Sequence, residues 1–256
     1  MTGRLQGKVA IVTGAASGFG AGIAQKFVAE GAQVLIADRN GEGALDLAAR
    51  LGAHARALRV DVSDAADVRL MMEAAELHFG RIDILVNNAG VTHLPQPLED
   101  VSEDDFERIY RVNMKAIYLA MRDVVPRMKA NAPGHRGIRG VVLNMASTAG
   151  VSPRPRLSWY NASKGWVITA TRANAVELAP FGIRVVALNP VAGETPLLKS
   201  FMGEDTPEVR ARFLSTIPIG RFSEPEDLAH AATYLCSDEA SMITGVCMEV
   251  DGGRCI

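Results

Sequence analysis

Short runs of aliphatic and β-branched residues alternate with longer segments of helical periodicity along this chain of 256 residues. Strands are predicted at Val9–Thr13, Gln33–Ala37, Ala57–Val60, Ile84–Val86, Val141–Asn144, Arg184–Leu188 and Val246–Val250, the first six buried on both faces. Helices are predicted at Phe19–Glu30, Gly43–Leu51, Asp64–Phe79, Asp104–Lys129, Ser158–Ala179 and near Pro225–Cys236. Such alternation requires crossovers between parallel strands. It therefore predicts an α/β fold with a doubly wound parallel sheet of about seven strands and helices on both faces.

The chain is predicted to form one domain over residues 1–256. No Pro- or Ser-rich linker, composition shift or internal repeat divides it, and 48% of its residues are apolar, which is ordinary for a globular enzyme with a sizeable core. The formal net charge is −2 and there is no basic tail. This charge balance argues against nucleic acid and against an anionic membrane as partners.

The sequence also favours a cytoplasmic location. The longest apolar runs are far shorter than a membrane span, and Met1 to Lys8 lacks the apolar segment of a secretory signal. The three cysteines, Cys236, Cys247 and Cys255, match neither a disulfide framework nor a zinc spacing. A reduced compartment is therefore expected.

A glycine-rich turn follows the first predicted strand and leads at once into a helix. The segment reads Thr13-Gly-Ala-Ala-Ser-Gly-Phe-Gly20, and its glycines let the backbone approach a pyrophosphate closely. The helix N-terminus adds unpaired N–H groups and the positive end of a dipole. The second strand ends at Asp38, whose carboxylate can accept both ribose hydroxyls of an adenosine. Together these features predict a dinucleotide site.

The chain resembles the short-chain dehydrogenase/reductase family in its single-domain, Rossmann-type form. The resemblance rests on the Thr-Gly-x-x-x-Gly-x-Gly turn, on Asp61-Val62 after the third strand and on Asn87-Asn88-Ala89-Gly90 after the fourth. It extends over nearly the whole chain and implies NAD or NADP as the cofactor, and the negative charge of Asp38 favours NAD. Together with the end of the second strand, the resemblance predicts eighteen cofactor-binding residues. They are Gly14, Ser17, Gly18, Phe19, Gly20, Asp38, Arg39, Asp61, Val62, Asn88, Ala89, Gly90, Tyr160, Lys164, Pro190, Val191, Gly193 and Thr195.

A tyrosine and a lysine stand four residues apart in Tyr160-Asn-Ala-Ser-Lys164, and hence on one face of a helix. An ammonium beside a phenol is expected to lower the tyrosine pKa toward working pH, which makes an acid/base group for alcohol–ketone interconversion. By the resemblance, Tyr160 exchanges the proton and Lys164 binds the nicotinamide ribose. Ser147 hydrogen-bonds the substrate oxygen, and Asn113 anchors a water that leads from Lys164 to solvent.

The sequence departs from the family after the sixth strand, where Pro190 is followed by Val191 in the usual glycine place. Gly193 is expected to provide the missing flexibility, and Thr195 is retained. The segment that follows is the variable substrate lid of the family, here at about 191–221, with Phe201, Met202, Phe213 and Leu214 available either to cover a ligand or to pack.

Three residues are candidates for substrate recognition. His93 is expected near the pocket mouth, with an exposed loop histidine as the alternative. Arg154 and Arg156 precede Tyr160 closely and suit bidentate recognition of a carboxylate or phosphate, although ion pairs across a subunit interface explain them equally well.

The resulting prediction is an NAD-dependent oxidoreductase that acts on a secondary alcohol, sugar or polyol, or hydroxyacyl compound. One alternative is a 3-oxoacyl-[acyl-carrier-protein] reductase, against which stand Phe181, where such enzymes tend to place a basic residue, and Asp38, which disfavours NADPH. Another is an NAD-binding redox sensor without turnover. The resemblance further implies a homodimer or homotetramer, with the helices Asp104–Lys129 and Ser158–Ala179 packed against their symmetry copies and Asp251–Ile256 near another interface.

Overall fold

A computed structural model describes residues 3–256, and all seven of its strands belong to one parallel sheet. The strands are β1 (Val9–Thr13), β2 (Gln33–Asp38), β3 (Ala55–Arg59), β4 (Ile84–Asn87), β5 (Gly140–Met145), β6 (Ile183–Pro190) and β7 (Cys247–Val250). Their order across the sheet is β3-β2-β1-β4-β5-β6-β7. The predicted fold class is confirmed, and every predicted strand is present with its ends moved by at most a few residues.

The helices cover both faces of this sheet. They are α1 (Gly18–Ala29), α2 (Gly41–Leu51), α3 (Ala65–Phe79), α4 (Glu103–Ile109), α5 (Ala116–Ala130), α6 (Ser158–Leu178), α7 (Leu198–Met202), α8 (Pro207–Leu214) and α9 (Pro225–Cys236). Apolar residues of α1, α2 and α9 form the core on one face, and those of α3, α5 and α6 form the core on the other. Within residues 3–256, no helix combines the length and the apolarity needed to cross a membrane.

The prediction that the first six strands are buried on both faces is wrong for β3. Arg56 and Arg59 of this strand are exposed, because β3 forms one edge of the sheet and pairs with β2 alone. The central strands β1, β4, β5 and β6 are buried along their whole length, as the sequence predicted. Burial on two faces therefore follows position in the sheet.

The helix predicted over Asp104–Lys129 is continuous but not uniform. Its first part, α4, begins after Ser102, whose hydroxyl accepts a hydrogen bond from the N–H of Asp105 at 3.2 Å. Between α4 and α5 the backbone widens into a π-helical turn over Tyr110–Lys115. π-helical turns inside α-helices are rare and are found most often at functional sites. This one contains the buried Asn113.

The strand order changes direction between β1 and β4, which are neighbours in the sheet. From β1 the sheet continues to β2 and β3 on one side, and to β4 and the later strands on the other. Loops leave the carboxyl ends of β1 and β4 in opposite directions, so a crevice opens between them. The glycine-rich turn follows β1 and the Asn88-Ala89-Gly90 segment follows β4, which places both at this crevice.

Candidate active site

A cavity of about 420 Å³ lies at the carboxyl ends of the strands. It runs from the glycine-rich turn and the end of β2 to Tyr160, Lys164 and Phe201. All but one of the residues predicted to bind the cofactor line it, namely Gly14, Ser17, Gly18, Phe19, Asp38, Arg39, Asp61, Val62, Asn88, Ala89, Gly90, Tyr160, Lys164, Pro190, Val191, Gly193 and Thr195. The topology thus gathers into one crevice residues that are widely separated in sequence.

The remaining residue, Gly20, lies behind the cavity wall and not on it. A Cβ atom at Gly20 would overlap the carbonyl of Gly14 and would stand 2.5 Å from Nδ2 of Asn88. Its glycine is required for close packing of α1 against the turn. Gly14 and Gly18 have the positive φ angles of +63° and +55°, and the turn needs glycine there for backbone conformation.

Asn88 and Thr13 join the end of β4 to the glycine-rich turn. The Asn88 side-chain amide donates to the carbonyls of Thr13 at 2.8 Å and Gly14 at 3.0 Å. The Thr13 hydroxyl accepts hydrogen bonds from the backbone N–H groups of Asn88 and Ala89. These bonds fix the width of the crevice at the phosphate end. The sequence motif includes Thr13 but predicts no role for it, and the only signal for one is a polar side chain at the end of a buried strand.

Two carboxylates lie at the far end of the cavity. The Asp38 carboxylate accepts the N–H of Ala16 at 2.9 Å and the N–H of Asn40 at 2.8 Å, so it braces the glycine-rich turn. The Asp61 carboxylate accepts two hydrogen bonds from Ser63, of which the one from its hydroxyl does most to lower the pKa of Asp61. Both groups present negative charge where an adenosine ribose and base would bind.

Ser147, Tyr160 and Lys164 stand together at the other end of the cavity. Tyr160 and Lys164 lie on α6 and Ser147 immediately precedes the short 3₁₀ turn after β5, and all three side chains are buried. The Lys164 ammonium donates to the carbonyl of Met145 at 2.8 Å and lies 5.8 Å from the centre of the Tyr160 ring. Met145 was not singled out from the sequence, because its main-chain carbonyl is the partner.

The prediction that Lys164 lowers the pKa of Tyr160 toward neutral pH is wrong. Burial raises the pKa of Tyr160 to about 12, and a hydrogen bond with Ser147 opposes this only in part. Burial likewise lowers the pKa of Lys164 to about 8. Desolvation disfavours the charged form of both groups, and neither group is among the causes that shift the pKa of the other.

The depressed pKa of Lys164 predicts a pH-dependent contribution to stability. Between its folded pKa of about 8 and the ordinary lysine pKa of 10.5, the unfolded chain binds the proton and the folded protein does not. Stability from this group therefore rises with pH across that window. Relative to Lys164→Met, the Tm of the parent is expected to rise by a few degrees from pH 7.5 to pH 10. A shift of this size corresponds to a change of about 1 kcal/mol in the free energy of unfolding. A Tm difference that stays constant in calorimetry would contradict the buried, titrating lysine.

Asn113 does not line the cavity, and its side chain is occupied by protein partners. Its amide donates to the carbonyl of Val91 at 2.9 Å and to the hydroxyl of Ser163 at 3.0 Å, while its oxygen accepts the N–H of Val91. The Ser163 hydroxyl also donates to the carbonyl of Tyr160 at 2.7 Å. Asn113 thus connects the π-helical turn to α6 between its two predicted catalytic residues.

Gly193, in the segment after β6, does not have the role that was predicted for it. Gly193 does not have a positive φ, and a Cβ atom there would overlap the Phe19 ring and stand 2.9 Å from the carbonyl of Ser223. Gly193 is therefore required for close packing, not for flexibility. Thr195 reaches the glycine-rich turn, since a Cβ at Gly18 would stand 3.2 Å from the Thr195 side chain. Val191 is buried in an apolar cluster with α7.

Of the three residues predicted to contact the substrate, only Arg154 lines the cavity. His93 is neither at the mouth nor exposed: it is 1% exposed, and its Nδ1 lies 2.7 Å from the carbonyl of Leu94. Arg156 is exposed, with a left-handed φ of +67°, and its guanidinium turns toward the carbonyl of Pro95 at 3.5 Å. Loop paths decided these placements, which residue type and spacing do not reveal.

Phe201, in the segment 191–221 that was predicted to form a lid, supplies apolar surface near Tyr160. Phe201 lines the cavity and meets the Tyr160 ring edge-on, with centroids 5.1 Å apart. The other three apolar residues that were named in the predicted lid pack instead in the apolar cluster around Val191 and Ile217. They are Met202, Phe213 and Leu214. Leu157 also lines the cavity and was not predicted from the sequence. Its apolar side chain directly before α6 was the only available signal.

The residues at this site fit a dinucleotide. Gly14, Gly18 and Gly90 line the cavity with backbone that carries no side chain, so a ligand can approach the main chain there. The hydroxyl of Ser17, at the N-terminus of α1, makes no capping bond within the described chain and faces the cavity. Phosphates suit the helix end and ribose hydroxyls suit the carboxylates.

Known proteins resemble this chain along nearly its whole length. Residues 14–254 match the family described as enoyl-(acyl carrier protein) reductase. The chain is 49% identical to 4-formylbenzenesulfonate dehydrogenase of Comamonas testosteroni, with 98% of each chain covered. It is 38% identical to galactitol 2-dehydrogenase of Agrobacterium fabrum, also with 98% of each covered. A crystal structure of 3-ketoacyl-(acyl-carrier-protein) reductase from Brucella melitensis complexed with NADH superposes with a TM-score of 0.92 at 52% identity, covering 98% of this chain and 100% of that one.

Proposed function

This chain belongs to the short-chain dehydrogenase/reductase family and is an NAD-dependent oxidoreductase of CH–OH donors, and we propose that Tyr160 is its acid/base group. The observation that carries this proposal is the burial of Tyr160 beside Ser147 and Lys164 at one end of a cavity whose other end suits a dinucleotide. The reaction interconverts a secondary alcohol and its ketone.

The chain's own residues handle one proton and the position of the substrate oxygen. A dinucleotide held by the glycine-rich turn, Asp38 and Lys164 would supply the hydride chemistry at the carbinol or carbonyl carbon. Tyr160 takes the hydroxyl proton in oxidation and supplies it in reduction. The Ser147 hydroxyl hydrogen-bonds the same substrate oxygen, and the Lys164 ammonium binds the nicotinamide ribose. Because burial holds the Tyr160 pKa near 12, the phenol keeps its proton at neutral pH, which suits donation to a carbonyl in reduction. In oxidation Tyr160 must first lose this proton before it can take that of the substrate hydroxyl.

The substrate panel that tests this function follows from the relatives. Their names point to polyols and to an aromatic aldehyde with a sulfonate. A screen of NADH absorbance over polyols, steroids, hydroxyacids, aromatic carbonyl compounds and acyl thioesters should give turnover in at least one class. An intact Ser147, Tyr160 and Lys164 set argues against a redox sensor, which needs no proton donor. No turnover in any class, with NAD bound, would favour the sensor.

A second candidate function is reduction of a 3-oxoacyl group on acyl carrier protein. It is favoured by the solved structure that carries this name at 52% identity. Against it stands Phe181, which is 45% exposed with the Lys129 ammonium 3.5 Å from its ring centre, where carrier-protein reductases tend to have a basic residue. Rapid turnover of a 3-oxoacyl thioester in the screen would decide for this candidate.

We also propose that residues 1–256 are one domain in which residues 191–221 form a lid over the substrate. Met1 and Thr2 lie outside the described residues. The lid proposal is supported by Phe201, which belongs to this segment and packs on Tyr160. A cytoplasmic enzyme without nucleic-acid or membrane partners is proposed from the net charge of −2 and from three free cysteines, with the thiol of Cys236 buried.

The protein is expected to be a homodimer or homotetramer. Apolar side chains stand exposed on α5 and α6, with Tyr118 at 55% and Val176 at 80% exposure, and Trp166 is also partly exposed. Burying these faces against symmetry copies would remove a large apolar area from water. Light scattering at micromolar concentration should therefore give two or four times the chain mass of 27.3 kDa. A mass of 27 kDa alone would refute the assembly.

A further inference from the structure

Among residues 3–256, no carboxylate belongs to the groups that act on the guanidinium charge of Arg154. Arg154 lines the end of the cavity that contains Tyr160. The charged or titrating groups that act on it are Arg254, Tyr160 and Cys255, and burial is the main cause that lowers the pKa of Arg154 to about 10. The two carboxylates of the cavity wall, Asp38 and Asp61, stand at its opposite end, after β2 and β3. Partly buried cations normally have an anionic partner in proteins.

The position of Arg154 is fixed from two sides. Its backbone carbonyl accepts a hydrogen bond from the Asn161 side-chain amide at 2.7 Å, which joins its loop to the first turn of α6. Its guanidinium lies over the Phe213 ring, 4.3 Å from the ring centre. Stacking on an aromatic face orients the planar fork and leaves its edges for an acceptor. The cation is therefore held in place before any ligand arrives.

A second guanidinium strengthens the positive field at this position. Arg254 acts on Arg154 electrostatically, and within residues 3–256 its Nε is buried without a hydrogen-bond acceptor. Two like charges brought together in a partly desolvated place disfavour each other. An anion bound in the cavity against Arg154 would offset this repulsion and would accept hydrogen bonds from the Arg154 guanidinium.

The surrounding wall specifies the rest of the ligand. Leu157 and Phe201 pack with Tyr160 and give this part of the cavity an apolar wall. A ligand that fits here has a carbinol or carbonyl group at Tyr160, an apolar body and an anionic group within reach of Arg154. An aromatic ring that carries a carboxylate or a sulfonate has this arrangement of groups.

We propose that this enzyme is selective for substrates that carry a carboxylate or sulfonate, and that Arg154 is the residue that binds this group. The inference rests on the proposed function, because Tyr160 defines the reacting end of the substrate. Arg154 is a specificity-determining residue here and takes no part in the proton or hydride transfer.

Ketones of matched size test the selectivity. The probes are 4-acetylbenzoate, 4-acetylbenzenesulfonate and the neutral 4-methylacetophenone, each reduced with NADH. The parent is expected to favour the anionic ketones in kcat/KM, mainly through KM. Arg154→Gln should lower the anionic-to-neutral ratio of kcat/KM by about 10- to 100-fold, the usual effect of losing a charge-assisted pair. Arg154→Lys, which keeps the charge without the fork, should recover part of the ratio.

Arg156→Gln is the matched control. It removes the same charge two residues away, from a side chain outside the cavity, so it should leave the ratio unchanged. An equal fall in the ratio for both variants would mean that general charge attracts the anion, and a ratio that Arg154→Gln does not alter would likewise overturn the proposal.

A binding measurement separates this proposal from the proposed function. The unreactive anion 4-methylbenzenesulfonate, added with NADH, should raise the Tm of the parent and of Arg156→Gln but not of Arg154→Gln. If no ketone is reduced and this pattern of Tm shifts still appears, the anion site stands and the assigned chemistry fails. If ketones are reduced but the anion shifts no Tm, or shifts all three equally, the chemistry stands and the anion site fails.

Discussion

Tyr160→Phe is expected to abolish turnover while leaving NAD binding intact. The substitution removes only the hydroxyl, so the ring keeps its edge-on contact with Phe201 at 5.1 Å between centroids. The cofactor contacts proposed for the glycine-rich turn and Asp38 lie at the other end of the cavity. Loss of the proton donor should cost at least about 10²–10⁴-fold in kcat. Among the described residues, Tyr160 is the only tyrosine that lines the cavity, so no other phenol can replace it.

The measurement compares kcat/KM with the Tm increase given by saturating NAD. Tyr234→Phe is the control, because it removes a tyrosine hydroxyl from α9, away from the cavity lining. It should behave as the parent in both measurements. If Tyr160→Phe retains more than a tenth of the parent kcat/KM, the proton comes from another group and the assignment of Tyr160 is wrong.

NAD is expected to be preferred over NADP by two or more decades in kcat/KM. Asp38 lies at the end of β2, with its carboxylate oxygens oriented by the N–H groups of Ala16 and Asn40. A 2′-phosphate would bring like charge against this carboxylate and would lose the ribose hydrogen bonds. Repulsion at close range with that loss costs several kcal/mol, and each 1.4 kcal/mol is about tenfold in affinity.

Asp38→Ala should narrow the NAD-to-NADP ratio by at least tenfold, because it admits a phosphate beside the exposed Arg39. The ratio is the useful quantity, since the lost bond to Ala16 loosens the glycine-rich turn for both cofactors alike. Asp46→Ala removes an exposed carboxylate on α2 and should leave the ratio unchanged. A parent that prefers NADP, or an unchanged ratio in Asp38→Ala, would place the ribose elsewhere.

The alternation of strand and helix patterns was sufficient to predict the sheet and the crevice. Parallel strands with short connections allow few topologies, and their carboxyl ends must meet at one edge. That is why seventeen of the residues predicted to bind the cofactor line one cavity although they are spread over much of the chain. Helical spacing likewise predicted that Tyr160 and Lys164 share a face of α6.

Tertiary structure alone decided how deeply each group is buried and which way each loop turns. Position at the edge of the sheet exposes β3. Dense packing explains the glycine at Gly20, which does not line the cavity, and the glycine at Gly193, which was predicted to provide flexibility. Desolvation, which depends on every surrounding element, reversed the expected direction of the Tyr160 pKa.

The two arginines before Tyr160 show the same division most clearly. The sequence by itself placed two guanidinium groups near the reactive tyrosine and predicted an anion or an interface as their partner. The loop backbone turns at Arg156 with a φ of +67°, which directs that side chain to solvent, while the hydrogen bond from Asn161 and the Phe213 ring hold Arg154 at the cavity. Residue type and spacing determine what a side chain can bind. The path of the surrounding backbone, which long-range packing sets, determines whether it reaches the site.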